Sequence, residues 1–443
     1  MPLIKNSENR RIRPLTDEPR LLREPRGGVP AVTDTPEGFR AVCEQMAQAT
    51  GPLAADAERA SGFRYGHEDW LIQFKREGAG IVLFDPIALT RAGVDWNLFN
   101  EAIGDDAWIL HDAVQDLPGF ADIGLRPRAL FDTEIAARLL GLHRFGLAAV
   151  TEHYLGITLA KEHSAADWSY RPLPRDWRNY AALDVELLIE LRSLMTQELK
   201  AQGKWEWALE EFHYALEQGM APRREHPAPW MRISHITELG HDPQGLAVAK
   251  ALWERRDALA RQYDISPSLL LADASIIEAA SRKPRNAREF RMIRSLNERV
   301  RMHTGSEQDK MFERYAPIQR KVKPSLWRET IREALALPRS QWPTPPAPPS
   351  DDDAQTNAPR SMKMWATRHP QRLRRLQAAR AVVNSIADDT RTPAEMIIKP
   401  QIIRNLCWTD EPDRRDVAQF LTSQGARDWQ VRLIAASVSR VIM

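Results

Sequence analysis

Cysteine is nearly absent from this chain: Cys43 and Cys407 are the only 2 among 443 residues, and no Cys-x-x-Cys pair occurs. That excludes a disulfide framework and a thiolate zinc site, and it fits a reducing compartment. Long apolar runs are missing too. No stretch approaches the roughly 18 residues of a membrane span, and the first residues lack the apolar core of a signal peptide. A cytoplasmic protein without a membrane partner is therefore expected. His67, His143, His153 and His163 show no mutual spacing that suits zinc. Net charge is small, formally +2, but it hides an asymmetry. Residues 29–150 carry 18 acids against 10 bases, whereas 281–301 has eight bases and two acids, and 360–380 has seven bases and no acid. An acidic half repels phosphate and a basic one attracts it.

What is present is a set of spaced carboxylates. Asp56 and Glu58 end the apolar run Pro52-Leu53-Ala54-Ala55. Strand alternation sends residues i and i+2 to one face, so these two converge. Tyr180 and Asp184 stand four apart, which brings them together on a helix. Asp116 lies between the two pairs, on a segment read as helical. Oxygen ligands in such small number suit hard cations that keep several waters. Two such ions about 3.5–4 Å apart stabilise both the attacking and the leaving oxygen of a phosphodiester. Each pair alone is a weak signal; the ordered set is a strong one.

The flanking phrases narrow the reading. Asp69-Trp70-Leu71-Ile72-Gln73-Phe74 and Gly80-Ile81-Val82-Leu83-Phe84 read as strands of a meander around Glu77-Gly78-Ala79. Then follow Trp108-Ile109-Leu110-His111, the pattern His-Asp-Ala-Val-Gln-Asp ending at Asp116, and Leu130-Phe131-Asp132-Thr133 with Asp132 placed as a helix cap. Asp167-Trp168, Arg171-Pro172-Leu173 and Tyr180-Ala181-Ala182-Leu183-Asp184 complete the series. This text closely resembles the ribonuclease D family, within the DEDD exonucleases whose third motif carries Tyr. The resemblance covers about residues 30–220. It implies an α/β ribonuclease H-like fold, a mixed sheet flanked by helices, and hydrolysis of RNA from the 3′ end to nucleoside 5′-monophosphates.

The resemblance also implies roles. Asp56 would bridge two divalent ions, Mg²⁺ or Mn²⁺, with Glu58 and Asp184 completing one and Asp116 holding the other. Tyr180 would orient the attacking water, since a phenol is a poor base at neutral pH but can position a water. Arg59 departs from the family pattern, where an aromatic residue is common, and is expected to stack on a base or hold phosphate. His111 reads as a structural histidine and Asp132 as a cap, not a further ligand.

Along the chain, residues 1–28 read as a flexible arm, 29–222 as the exonuclease domain, 223–325 as an HRDC domain, 338–360 as a Pro-rich linker and 361–443 as a second HRDC-like all-α domain. One helix is expected from about Pro174 to Gln202. The two helical blocks repeat at an offset of 126: Pro267 matches Pro393, and Ile276-Ile277 matches Ile402-Ile403. The first block resembles the HRDC module through Trp253-Glu254-Arg255-Arg256 and Asp273-Ala274-Ser275-Ile276-Ile277. Its Arg282, Lys283, Arg285 and Arg288 are candidates for nucleic-acid contact. The helical half is expected to supply affinity, and cleavage of short strands to survive its removal. The expected partners are the 3′ ends of tRNA precursors or other structured RNA, met by a monomer. A 3′–5′ DNA exonuclease of the Werner or proofreading type stands as an alternative, because the carboxylates do not see the 2′-OH. A non-catalytic nucleic-acid-binding scaffold is the other.

Overall fold

The computed structural model describes residues 18–159, 163, 165–223, 226–240, 242–301, 308–343, 358–409 and 416–442. Most of the arm expected over 1–28 and of the linker expected over 338–360 lies outside the described residues. Among the described residues no helix is long and apolar enough to cross a membrane.

The described residues form eight strands: β1 Arg20–Leu22, β2 Val32–Thr33, β3 Leu53–Arg59, β4 Asp69–Arg76, β5 Gly80–Phe84, β6 Trp108–Leu110, β7 Leu130–Asp132 and β8 Ile157–Leu159. Six form a mixed sheet in the order β2-β5-β4-β3-β6-β7, and β1 pairs with β8 apart from it. β3, β4 and β5 are the antiparallel meander, turned by Gly78 at φ +85°. β6 and β7 add in parallel on the other side of β3. β3 is therefore central.

Alternation divides its side chains. Ile72, Phe74 and Phe84 join Phe39, Phe99, Trp108 and Phe120 in an edge-to-face aromatic core on one face. Leu71 and Leu83 point the other way and pack with Trp168, Trp177 and Ala181 of the segment that leads into and forms the helix Arg175–Glu186. Since Asp56 opposes Gln73 and Glu58 opposes Leu71, both carboxylates lie on the face that this helix covers.

The single helix expected over 174–202 is two, Arg175–Glu186 and Leu188–Ala201, broken at Leu187. The Lys75 ammonium reaches both the Glu186 carbonyl and, at 3.2 Å, its carboxylate. An outside donor thus satisfies a carbonyl that a continuous helix would have used. Asp116 likewise is not inside a helix. It is the N-cap residue of Leu117–Ile123, which Pro118 starts.

The helical blocks show the repeat in three dimensions. The long helices Pro243–Tyr263 and Pro370–Thr390 both end at a left-handed residue, Asp264 at φ 47° and Arg391 at φ 51°. A four-residue helix follows in each, and then a helix burying Ile276-Ile277 or Ile402-Ile403. Neither block hangs free of the sheet domain. The second shares one continuous apolar core with it. Trp429 stacks on Trp207 at 4.7 Å, and Glu211 accepts from both Arg427 and the Trp429 indole. A separable helical half was expected; this shared core contradicts it, because removing the block would expose Trp207 and leave the buried Glu211 without donors.

Candidate active site

The site is built where β3 passes under the helix Arg175–Glu186. One oxygen each of Asp56, Glu58 and Asp184 lie within 4.8 Å of one another. Gln73, fully buried on the neighbouring strand, donates from Nε2 to Asp56 Oδ2 at 2.5 Å and fixes that carboxylate. Tyr180 stands one turn before Asp184, near enough for hydroxyl and carboxylate to shift each other's protonation. The Tyr180 ring is held by Trp168 at 6.2 Å and, edge-on, by His163 at 6.1 Å.

Asp116 approaches from the other side of β3. Its turn is fixed by Asp132, whose buried carboxylate accepts from the backbone N–H groups of Asp112 and Ala113 as well as those of Glu134 and Ile135. One side chain therefore caps the helix Thr133–Leu139 and clamps the turn that carries Asp116. Only the cap is legible in the sequence, because backbone N–H donors carry no residue signature. His111 is structural as expected. Its Nδ1 lies 2.8 Å from Thr133 Oγ1, and that hydroxyl donates to the Leu110 carbonyl, so Nδ1 bears the proton. Burial lowers the imidazole to about 4, so it stays neutral.

Crowding of acids sets the electrostatics. Burial pushes Glu58 well up, and the charges of Asp56, Asp184 and Asp116 add to it. Asp184 and Asp116 are raised for the same two reasons, burial first and then Asp56. Asp56 is raised by burial to about 6, against the pull of the Ala57 N–H, Arg59 and Gln73. Burial and the neighbouring carboxylates hold Tyr180 firmly as the neutral phenol. An all-oxygen donor set short of positive charge fits divalent, hard cations and fits no soft metal.

Asp116 does not join the three-carboxylate group. Its Oδ1 pairs instead with Arg59 Nη2 at 3.3 Å. Arg59, expected to contact nucleic acid, is turned inward. Its Nη1 donates to the Gln115 carbonyl at 2.5 Å and lies 3.6 Å from Asp69. A bulge between Glu58 and Arg59 sets Arg59 opposite Asp69 and interrupts the alternation by which its direction would have been read. Asp69 is itself raised to about 7 by burial. The other basic candidates lie outside this site, on the first helical block. Arg282 pairs with Glu278 at 3.2 Å and Lys283 with Asp242, whereas Arg285 and Arg288 are exposed.

Three family models match the chain: a 3′-5′ exonuclease over residues 30–200, an HRDC domain over 245–307 and a 3′ to 5′ exonuclease C-terminal domain over 358–442. Ribonuclease D of Zymomonas mobilis is 30% identical over 275 residues, covering 60% of this chain and 67% of that protein. Ribonuclease D sequences of other bacteria align over 46% to 72% of their own length, and this chain spans 59% of the one from Shewanella, 29% identical to it. A solved protein from Bifidobacterium adolescentis is 67% identical with a TM-score of 0.90, covering 96% of this chain and 100% of that one. The structure of Escherichia coli RNase D, 21% identical with a TM-score of 0.59 over 93% of this chain and 98% of that one, shares the fold. The chain belongs to the ribonuclease D family of 3′–5′ exoribonucleases.

Proposed function

We propose that this site hydrolyses RNA stepwise from the 3′ end with two divalent cations, Mg²⁺ or Mn²⁺, and that the substrates are the 3′ ends of tRNA precursors or other structured RNAs, met in the cytoplasm by a monomer. The observation that carries the reading is the convergence of the Asp56, Glu58 and Asp184 oxygens within 4.8 Å, with Tyr180 one turn before Asp184 on the same helix. Asp56, Glu58 and Asp184 would hold one cation, and Asp56 with Asp116 the second. Cations bound there would supply a water of lowered pKa and positive charge against the phosphate. Tyr180 keeps its proton and so orients the attacking water by hydrogen bonding instead of removing a proton from it. A phosphorus–oxygen bond to water forms as the bond to the 3′ oxygen of the penultimate nucleotide breaks. The products are a nucleoside 5′-monophosphate and a strand shorter by one, with a new 3′-OH.

The test is digestion of matched RNA and DNA oligonucleotides labelled at the 5′ end, in Mg²⁺ and in chelator. The expected result is a ladder of shortening labelled RNA that chelation abolishes. Early release of the labelled 5′ nucleotide, or cleavage indifferent to chelator, would overturn the reading. Preference for the DNA strand would favour the DNA exonuclease instead.

A further inference from the structure

Among the described residues, Arg59 is the one cation paired with Asp116 and Asp69, and three acceptors share it. Nη2 faces Asp116 Oδ1 at 3.3 Å, and Nη1 divides itself between the Gln115 carbonyl at 2.5 Å and Asp69 Oδ1 at 3.6 Å. Asp69 is 4% exposed, and neither of its carboxylate oxygens has a hydrogen-bond partner. It cannot back away, because it lies against the first turn of the helix Leu117–Ile123. A Cβ on Gly119 would come within 2.2 Å of Asp69 Oδ2. A buried carboxylate without a donor is costly, and a guanidinium has five N–H groups in a fixed fork that could serve it fully. Arg59 therefore has two carboxylates to choose from, and serves each only in part.

We propose that Arg59 is an exchangeable counter-ion: it competes with the second cation for Asp116, and moves on to Asp69 when that cation binds. Arg59 is on this view a positioning residue. This rests on the two-cation reading above. It adds that the two positions are unequal, the trio Asp56, Glu58 and Asp184 binding first and Asp116 only against competition. The arrangement of the acids agrees, since these three converge while Asp116 stands apart on Arg59. A plain structural brace would make a different prediction. It would alter stability without changing the ratio of the two cation affinities.

The test is Mn²⁺ titration of the full chain, followed by the electron paramagnetic signal of free Mn²⁺ and by calorimetry. Wild type should bind one Mn²⁺ tightly and a second more weakly. Arg59→Leu should tighten the second by about 10-fold or more and the first much less, since a cation within contact distance of Asp116 is gone and Asp56 and Glu58 feel it only at longer range. Arg59→Lys, which keeps the charge but not the fork, should fall between, and it carries the test if the leucine variant does not fold. Asp69→Asn removes the second home of Arg59 and should weaken the second Mn²⁺. That effect should vanish in the Arg59→Leu background, whereas mere loss of negative potential would act equally in both. Equal second-site affinity in wild type and both Arg59 variants would overturn the proposal while leaving the two-cation reading intact. No Mn²⁺ binding by wild type would overturn both.

Discussion

Asp56→Asn should make the metal-free protein more stable and the metal-bound protein less so. The substitution is isosteric, and Gln73 Nε2 can donate to the asparagine oxygen as it does to Asp56. Burial raises Asp56 from 3.8 to about 6. A raised carboxyl binds its proton more tightly in the folded state, so its contribution is complete below about pH 4 and is lost as pH rises through about 6. A shift of that size corresponds to roughly 3 kcal/mol at 1.36 kcal/mol per unit, an upper figure because part of the strain relaxes. Removing the charge also relieves Glu58, Asp116 and Asp184, each of which Asp56 pushes up. At pH 8 in chelator the melting midpoint of the variant should therefore lie about 3–10 °C above wild type, at roughly 2–4 °C per kcal/mol. At pH 5, midway between 3.8 and about 6, the gap should shrink to about half. Adding Mn²⁺ should reverse the order, since the ligand stabilises only the chain that binds it. The assay is differential scanning calorimetry at the two pH values, with and without Mn²⁺, beside hydrolysis of a short RNA, which should fall to background. A variant melting below wild type in chelator at pH 8 would show that the Asp56 charge supports the fold, and the argument from acid crowding would fail.

Tyr180→Phe should lower kcat by about 10²–10⁴-fold while Mn²⁺ affinity holds, because it removes a water-orienting hydroxyl and no ligand; loss of Mn²⁺ binding in titration would refute that role. Phe63→Ala removes a ring stacked on Phe312 at 4.5 Å and should lower kcat on a short RNA more than it raises KM, which steady-state kinetics would show. A chain ending after residue 222 should be insoluble or molten by near-ultraviolet circular dichroism, because Trp207 and Glu211 lose Trp429 and Arg427. Charge reversal at exposed Arg285 and Arg288 should raise KM for long RNA and flatten its salt dependence, with kcat nearly kept; an unchanged salt slope would make them plain solvated side chains.

The parts of the site written in local periodicity were legible. Asp56 with Glu58, and Tyr180 with Asp184, follow from strand and helix spacing alone, and the meander from β-rich runs around Gly78. What was illegible depended on breaks in period or on the backbone. The bulge at Glu58 and Arg59 interrupts the alternation from which the direction of Arg59 could be read. Lys75, on a distant strand, supplies the donor at which the helix breaks after Glu186. Asp132 holds Asp112 and Ala113 by their N–H groups, which every residue but proline offers. Gln73 could be matched to Asp56 only once the register of β3 and β4 was known.

The same limit explains why the helical half looked like an accessory. Charge asymmetry suggested a division, chemistry in one half and affinity in the other. Yet the chain runs from Glu58 and Arg59 directly into Phe63-Arg64-Tyr65, and this turn docks on the first helical block. Phe63 stacks on Phe312 and its carbonyl accepts from the Ser266 N–H; Arg64 pairs with Asp264 at 2.9 Å; and the Tyr65 hydroxyl donates to Asp257. On the other border of the site, the Tyr315 hydroxyl donates to buried Asp167 at 2.9 Å, beside the Trp168 that supports Tyr180. A turn and a loop that each carry a neighbour of the carboxylates are thus held by side chains from residues 257–315. Contacts of that kind fix the direction of groups that must meet a phosphate within fractions of an ångström. Disturbing the helical block should therefore reach kcat as well as binding, whatever its basic surface contributes to affinity.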